Sequence, residues 1–396
     1  MINSATGLRE LAYVAKVREI RPIEGKDRVE CAVVNGWTIM VKKGDFKVGD
    51  LGVYFEVDSQ VPEKEPFMFL AQKHFKIKIQ KYGKFYSQGL LMPLSSFPEL
   101  EEVKEGDFLT EKLGVTYNTL DDRKRKGQLK DKYQPMLQRY SKLFKKPIIR
   151  RIIKTKAGKE FFYQLLGKRV IKSKKFPTHF PYVKITDVDR IENHPEILQD
   201  KTPYLKTVKA DGSSCTIIAE RKGKNRFEIY VCSRQVRQLR PSQKCYFDEN
   251  FYWQATKKYH IDDALIDFLK KHPSLSYVCT QGEVCSPKIQ SNPQNLSELH
   301  FFAFHFIDSK QGKWDLREAK KVWDRYGIPS VEIVDDNYIM PDDMETFKLS
   351  ADDYYPESMC EGKKKCPIEG YVYYRTDNPN FYIKNVSRKY QMKRGY

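Results

Sequence analysis

Lys209-Ala210-Asp211-Gly212-Ser213 places an amine, a carboxylate and a glycine within a short stretch of chain. A lysine amine can attack phosphorus and carry the nucleotidyl group as a covalent intermediate. A carboxylate two residues on can help hold a divalent metal and its waters beside that phosphate. Glycine lets the backbone come near a ribose. Extended runs flank the stretch at residues 204–208 and 215–219, so Lys209 reads as the mouth of a hairpin. Five residues of this kind also occur in ordinary surface turns, and the chemistry needs partners elsewhere in the chain.

Candidate partners follow in order along residues 176–396. Ser233-Arg234 closes the run 227–232. Gln281-Gly282-Glu283 ends a strand over 277–283. Residues 300–307 alternate, with Phe302 and Phe304 on one face. Ile368-Glu369-Gly370-Tyr371-Val372 opens another strand, and Lys384 and Lys389 lie on or after the last. Helical stretches are expected at 246–259 and 261–271. Asp315 and Glu318 form a capping box for a helix that closes at Gly327. The expectation is a mixed α+β domain built on antiparallel hairpins. Asp187 and Arg190, upstream of the lysine, read as structural.

Residues 1–118 read as a separate, small β domain. Asn35-Gly36 between the runs 29–34 and 37–41 signals a hairpin. Lys43-Gly44-Asp45 and Val48-Gly49-Asp50 are tight turns, and strands are expected at 11–20, 51–57, 75–79 and 89–92. About five short strands with glycine turns fit an OB-like barrel. Lys76, Lys78, Lys81 and Lys84, interleaved with Phe75, Tyr82, Phe85 and Tyr86, suit a face that tracks phosphates and stacks bases. The same pattern also fits a charged strand face over an ordinary core.

The chain holds 71 Lys and Arg against 52 Asp and Glu, a net charge of +19, which points to a polyanionic partner and first to nucleic acid. Residues 121–175 concentrate the excess, with 20 basic side chains against 4 acidic, including Arg123, Lys124, Arg125 and Lys126. Apolar clusters such as Leu143-Phe144 and Ile148-Ile149 make this basic linker or insert partly ordered and helical. It reads as a nucleic-acid contact. An 18-residue apolar run and a basic-then-apolar N-terminus are both missing, so neither a membrane span nor a secretory signal is expected. The eight cysteines form no Cys-x-x-Cys pair and read as reduced thiols in a cytoplasmic protein.

Taken in order, Lys209 with Asp211, Ser233-Arg234, Glu283, the Phe302/Phe304 strand, Glu369, and Lys384 with Lys389 resemble the covalent nucleotidyltransferase superfamily of ATP-dependent ligases and mRNA capping enzymes. Gln281-Gly282-Glu283, Pro287-Lys288-Ile289-Gln290 and Lys384-x-x-Ser387-x-Lys389-Tyr390 look like the RNA ligase branch. An OB-like domain ahead of the lysine, with Ser87-Gln88-Gly89-Leu90, resembles ATP-dependent RNA ligases with an N-terminal OB domain. Two departures stand out. Tyr382-Ile383-Lys384 keeps only the second lysine of a Lys-x-Lys pattern, and Ser214 stands where DNA ligases and capping enzymes carry arginine.

The resemblance implies an OB-fold domain followed by an antiparallel-sheet nucleotidyltransferase domain. It implies ATP and Mg2+ or Mn2+ as cofactors, and a nicked RNA or RNA-containing duplex as partner of a monomer. Lys209 would carry AMP. Asp211, Glu283 and Glu369 would serve the metal. Phe302 or Phe304 would stack on adenine, Arg234 and Glu283 would touch the nucleotide, and Lys384 and Lys389 would bind phosphates. Lys76, Lys78 and the 123–126 cluster would grip nucleic acid. Lysine's reference pKa of about 10.4 leaves only ~1 amine in 2,500 neutral at pH 7, so nearby positive charge must favour the free amine. The alternatives are a capping-type guanylyltransferase and a catalytically inactive RNA-binding protein of the same fold.

Overall fold

A computed structural model describes residues 1–3, 9–117, 136, 140–144, 146–167, 183, 187–234, 237–238, 250–290, 292–362 and 365–394 of the 396-residue chain. The first sheet runs through β1 (Ala12–Ile23), β2 (Lys26–Val34), β3 (Trp37–Lys42), β4 (Leu51–Phe55) and β5 (Leu90–Pro93), in the order β3-β2-β1-β4-β5 with antiparallel neighbours. Asn35 sits at φ 51 in the turn between β2 and β3, the left-handed conformation that the Asn-Gly pair foretold. The sheet coils so that both faces are covered. Val14, Val53 and Phe55 pack in one cluster, and Tyr13, Trp37 and Tyr54 in another.

Residues 75–79 do not form the expected strand. His74 and Phe75 both have positive φ, which turns the backbone, and pairing is confined to residues 75–77 against 58–61, through the Lys76–Gln60 bridge and three backbone hydrogen bonds. The inward set Phe75, Ile77 and Ile79 is nevertheless buried, leaving Lys76 and Lys78 half-exposed between them. Phe75 belongs to the core and Tyr86 is buried under the guanidinium of Arg388, 4.3 Å from its ring centre. Neither ring is placed to stack on a base. Tyr82 and Phe85 keep partial exposure.

Short helices at Ser141–Phe144, Pro147–Ile152 and Lys156–Phe162 follow in the basic segment. Arg123, Lys124, Arg125 and Lys126 lie outside the described residues.

Two further sheets carry the rest. One is ordered Asp189–Arg190, β13 (Tyr382–Val386), β12 (Gly370–Arg375), β6 (Tyr204–Val208), β11 (Ile333–Tyr338). The other is Arg237–Gln238, β8 (Arg226–Ser233), β7 (Ser213–Gly223), β9 (Tyr277–Cys285), β10 (His300–Asp308), Gly312–Lys313. Helices α1 (Phe251–Lys258), α2 (Ile261–Lys271) and α3 (Leu316–Tyr326) cover the second sheet, burying Leu265, Phe268 and Trp323 against Ile217, Phe301 and Phe306. Asp315 caps α3 by accepting from the Arg317 N–H at 2.8 Å, and Gly327 ends it at φ 66. Among the described residues no helix is long and apolar enough to cross a membrane.

The two halves of the molecule meet through buried polar groups. Asn193 Oδ1 accepts from Tyr13 Oη at 3.0 Å and Trp37 Nε1 at 2.8 Å, while its Nδ2 donates to Glu56 Oε1 at 3.0 Å and Asp189 Oδ1 at 2.8 Å. Gly36 N–H donates to Glu192 O at 2.7 Å and Gly36 O accepts from Lys348 Nζ at 3.2 Å. Burial works to raise the Glu56 pKa, yet the N-terminal ammonium and Arg9 outweigh it and hold the carboxyl at about 2.

Candidate active site

The strands on either side of Lys209 do not pair with each other. β6 belongs to the first of the two sheets and β7 to the second, so Lys209 sits on the crossover between them rather than at a hairpin mouth. This brings side chains from both sheets to one amine. Lys209 N–H donates to Gly370 O at 2.9 Å, which seats the residue at the start of β12. Its Nζ donates to Glu369 Oε2 at 2.8 Å. Tyr355 Oη donates to the Lys209 carbonyl at 3.2 Å. Glu283 arrives from β9, opposite Ser214 on one side and Phe302 on the other.

The motif glycines are required by neighbouring strands. A Cβ on Gly212 would lie 2.3 Å from Val284 O and 2.8 Å from Cys285 Sγ, so this residue lets the crossover pack on β9. That contact by itself requires a glycine at 212. Gly370 has φ 150, and its Cβ would lie 2.0 Å from Asn385 O.

Three carboxylates surround Lys209, and their electrostatics set the resting state. Burial disfavours the charge on Lys209, but Glu369, Glu283 and Asp211 outweigh it and hold its pKa well above the ordinary lysine value. Burial pushes the Glu283 carboxyl up to about 8, with Lys209 opposing and the charges of Glu369 and Asp211 adding. Burial and Glu369 raise Asp211 as well. The amine is therefore held as an ammonium, the reverse of what attack on phosphorus needs. Positive charge near the carboxylates is what would release it.

The remaining candidates divide. Lys384 on β13 stands close enough to feel Lys209, and burial pushes its pKa down to about 8, with Asp187 opposing. Lys389 points outward, 68% exposed, 3.5 Å from Asp352. Arg234 is exposed and pairs with Asp187 Oδ2 at 2.6 Å. Phe302 is buried opposite Glu283 and stacks on His300, with ring centres 5.9 Å apart. The ladder slips between Gln281 and Gly282, so Phe304 falls at the bulge; half-buried, it lines a small cavity with Leu205, His305 and Tyr374. Across the bulge the two rings still pack on the same cluster, with Phe301 and Ala303 facing the other core.

Asp211 is not presented to Lys209 as an open ligand. Its Oδ2 accepts from Tyr390 Oη and from Arg394 NH2, both on the closing helix α4 (Arg388–Arg394). In the sequence Tyr390 appears only as the last residue of the Lys384-x-x-Ser387-x-Lys389-Tyr390 motif, with no role given to it, and Arg394 and Tyr355 are not picked out. Among the described residues no three His, Cys, Asp or Glu side chains converge into a metal cage. The carboxylate pair Glu283 and Glu369 fits a hard divalent cation that keeps much of its water.

Comparison with known families decides what this architecture is. Residues 202–390 match the RNA ligase family model, and residues 11–94 match an OB-fold domain model. The chain thus joins a part similar to an OB-fold domain to a part similar to the RNA ligase family. Among solved structures, Naegleria gruberi RNA ligase with PPi is similar over 98% of this chain and 99% of that one, with a TM-score of 0.71 at 24% identity. A mutant of the same enzyme with ATP and Mn covers 97% and 99%, with a TM-score of 0.71 at 25% identity. Another with AMP and Mn covers 97% and 99%, with a TM-score of 0.72 at 24% identity. No curated protein matches significantly by sequence. The RNA ligase match spans the Lys209 crossover, both sheets apart from Asp189–Arg190, and only the first three residues of α4.

Proposed function

We propose that the chain is an ATP-dependent RNA ligase that forms lysyl-AMP on Lys209 and seals 3′-OH/5′-phosphate nicks in RNA-containing duplexes. The observation that carries this reading is the Lys209 amine on the crossover between two sheets, 2.8 Å from Glu369 and within the field of Glu283. Solved RNA ligases of the same fold hold ATP, AMP, Mn or PPi. The proposed units are an OB domain at 1–118, a basic linker at 119–175 and a nucleotidyltransferase domain at 176–396.

ATP and a divalent cation, Mg2+ or Mn2+, are the proposed cofactors. Glu283 and Glu369 are the carboxylates that would hold the cation, which supplies positive charge beside Lys209 and the α-phosphate. Lys209 then gives up a proton, and Glu369 is the acceptor already in hydrogen-bond contact. The free Nζ attacks the α-phosphorus and the bond to the β-phosphate oxygen breaks, releasing pyrophosphate. Lys384 would take a phosphate oxygen. AMP passes to the 5′-phosphate of the nick, and the 3′-OH displaces it.

Intact mass after incubation with ATP and magnesium tests the first step. The expected result is a gain of one AMP that Lys209→Ala abolishes. A GMP adduct from GTP in place of AMP would favour a capping-type guanylyltransferase. No adduct with any divalent metal would favour an inactive RNA-binding protein.

A further inference from the structure

The crossover that carries Lys209 is held at nearly every residue. Lys209 bonds Gly370 through its N–H and Tyr355 through its carbonyl. Gly212 lies too close to Val284 O and Cys285 Sγ to carry a side chain. Ser213 Oγ lies 2.7 Å from Tyr252 Oη. Asp211, the one remaining polar side chain of the turn, is held from α4: Tyr390 Oη and Arg394 NH2 both donate to Oδ2. Arg394 Nε also donates to Tyr390 Oη at 2.9 Å, so the three groups close a triangle. Asp211 and Arg394 are 12% and 10% exposed at their side chains, and a charge-assisted pair so shielded is stronger and more directional than one in water.

The same helix also reaches the other catalytic partner. Its entry residue Ser387 donates its N–H to the Glu369 carbonyl at 2.9 Å, and its hydroxyl donates to Asp352 at 2.7 Å and accepts the Tyr390 N–H at 3.1 Å. One short element therefore grips the chain two residues after the nucleophile and the residue that bonds it.

We propose that Tyr390 and Arg394 are positioning residues: by clamping Asp211 to the helix that begins at Glu369's partner Ser387, they set where the Lys209 amine stands relative to Glu369 and Glu283. This rests on the ligase reading above. Asp211 in this view anchors the crossover and is not a metal ligand. A displacement of about 1 Å at an attacking atom can cost about 10²-fold in rate, so a clamp of this kind matters to the chemistry without touching it.

The test compares Arg394→Ala, Arg394→Lys, Tyr390→Phe and Asp211→Asn in the full chain. Single-turnover AMP loading at saturating ATP should fall by about 10²-fold in Arg394→Ala. The KM for ATP and the magnesium concentration for half-maximal rate should stay at wild-type values. Arg394→Lys should recover most of the loss because the charge remains. Asp211→Asn should share the defect and its unchanged magnesium dependence. Hydrogen exchange over residues 205–213 should quicken in Arg394→Ala while α2 and β9 exchange as before. An Arg394→Ala protein that loads AMP at the wild-type rate would overturn the proposal. So would a raised magnesium requirement in Asp211→Asn alone, which would make that carboxylate a ligand. If the wild-type protein takes no AMP, the ligase reading fails, and the exchange measurement then judges the clamp by itself, with unchanged exchange over 205–213 overturning it.

Discussion

Lys209 Nζ and Glu369 Oε2 stand 2.8 Å apart in a pocket that holds two more carboxylates. The pairing is a resting state, and it protects the amine from reaction until the surrounding negative charge is cancelled. Labelling with an amine-reactive acylating reagent across a pH series should find Lys209 unreactive well above neutral pH. In Glu369→Gln the largest opposing charge is gone, and labelling should begin at lower pH. Identical profiles in the two proteins would disprove the electrostatic account.

Glu283 carries a folded-state pKa near 8, above its ordinary value, because burial penalises its charge. A carboxyl raised in this way contributes stability fully below its unfolded pKa of about 4.3 and loses it as pH rises through the folded value. The melting temperature should therefore fall from pH 5 to pH 8 by a component that Glu283→Gln removes. Parallel curves for the two proteins would place Glu283 in a more solvated setting.

Gly370→Ala puts a Cβ 2.0 Å from the Asn385 carbonyl at a backbone angle that side chains rarely adopt. Overpacking and backbone strain of this kind cost about 2–3 kcal/mol. Urea denaturation should show that loss, and AMP loading should drop with it because Gly370 O receives the Lys209 N–H.

Lys384 and Lys389 separate cleanly. Lys384→Ala should slow AMP loading by about two decades, the usual effect of removing one preorganised charge. Lys389→Ala, which removes an exposed partner of Asp352, should load AMP at close to the wild-type rate.

Neutralising Arg123, Lys124, Arg125 and Lys126 together should flatten the salt dependence of nicked-duplex binding by up to about four units, at about 0.9 per phosphate contact. AMP loading from ATP should survive, since that step needs no polynucleotide. An unchanged slope would assign the cluster to a solvated surface.

Local signals carried much of this in the sequence. Asn35-Gly36 marked its hairpin, Asp315 and Gly327 bounded α3, and the order of Lys209, Glu283 and Glu369 announced the residues that meet. Pairing between distant strands left no such trace. The strands around Lys209 read as one hairpin because adjacent extended runs usually pair, yet each pairs with distant strands in a different sheet. Residues 75–79 kept the alternation of a strand while two positive φ angles bent the backbone away. Arg234 was matched by motif order, but its guanidinium met Asp187, 47 residues upstream. Tyr390 and Arg394 reach Asp211 across 179 and 183 residues, a distance at which single side chains carry no periodic signature.

Asn193 spends its carboxamide on four groups, Tyr13, Trp37 and Glu56 on one side and Asp189 on its own. Pulling the OB-fold domain away would break three of these bonds at once, to Tyr13, Trp37 and Glu56, and exchange them for bonds to water. The two domains are therefore expected to unfold together, in one calorimetric transition shared by the barrel and the sheets that hold Lys209; two resolved transitions would show that the domain boundary is a thermodynamic one as well.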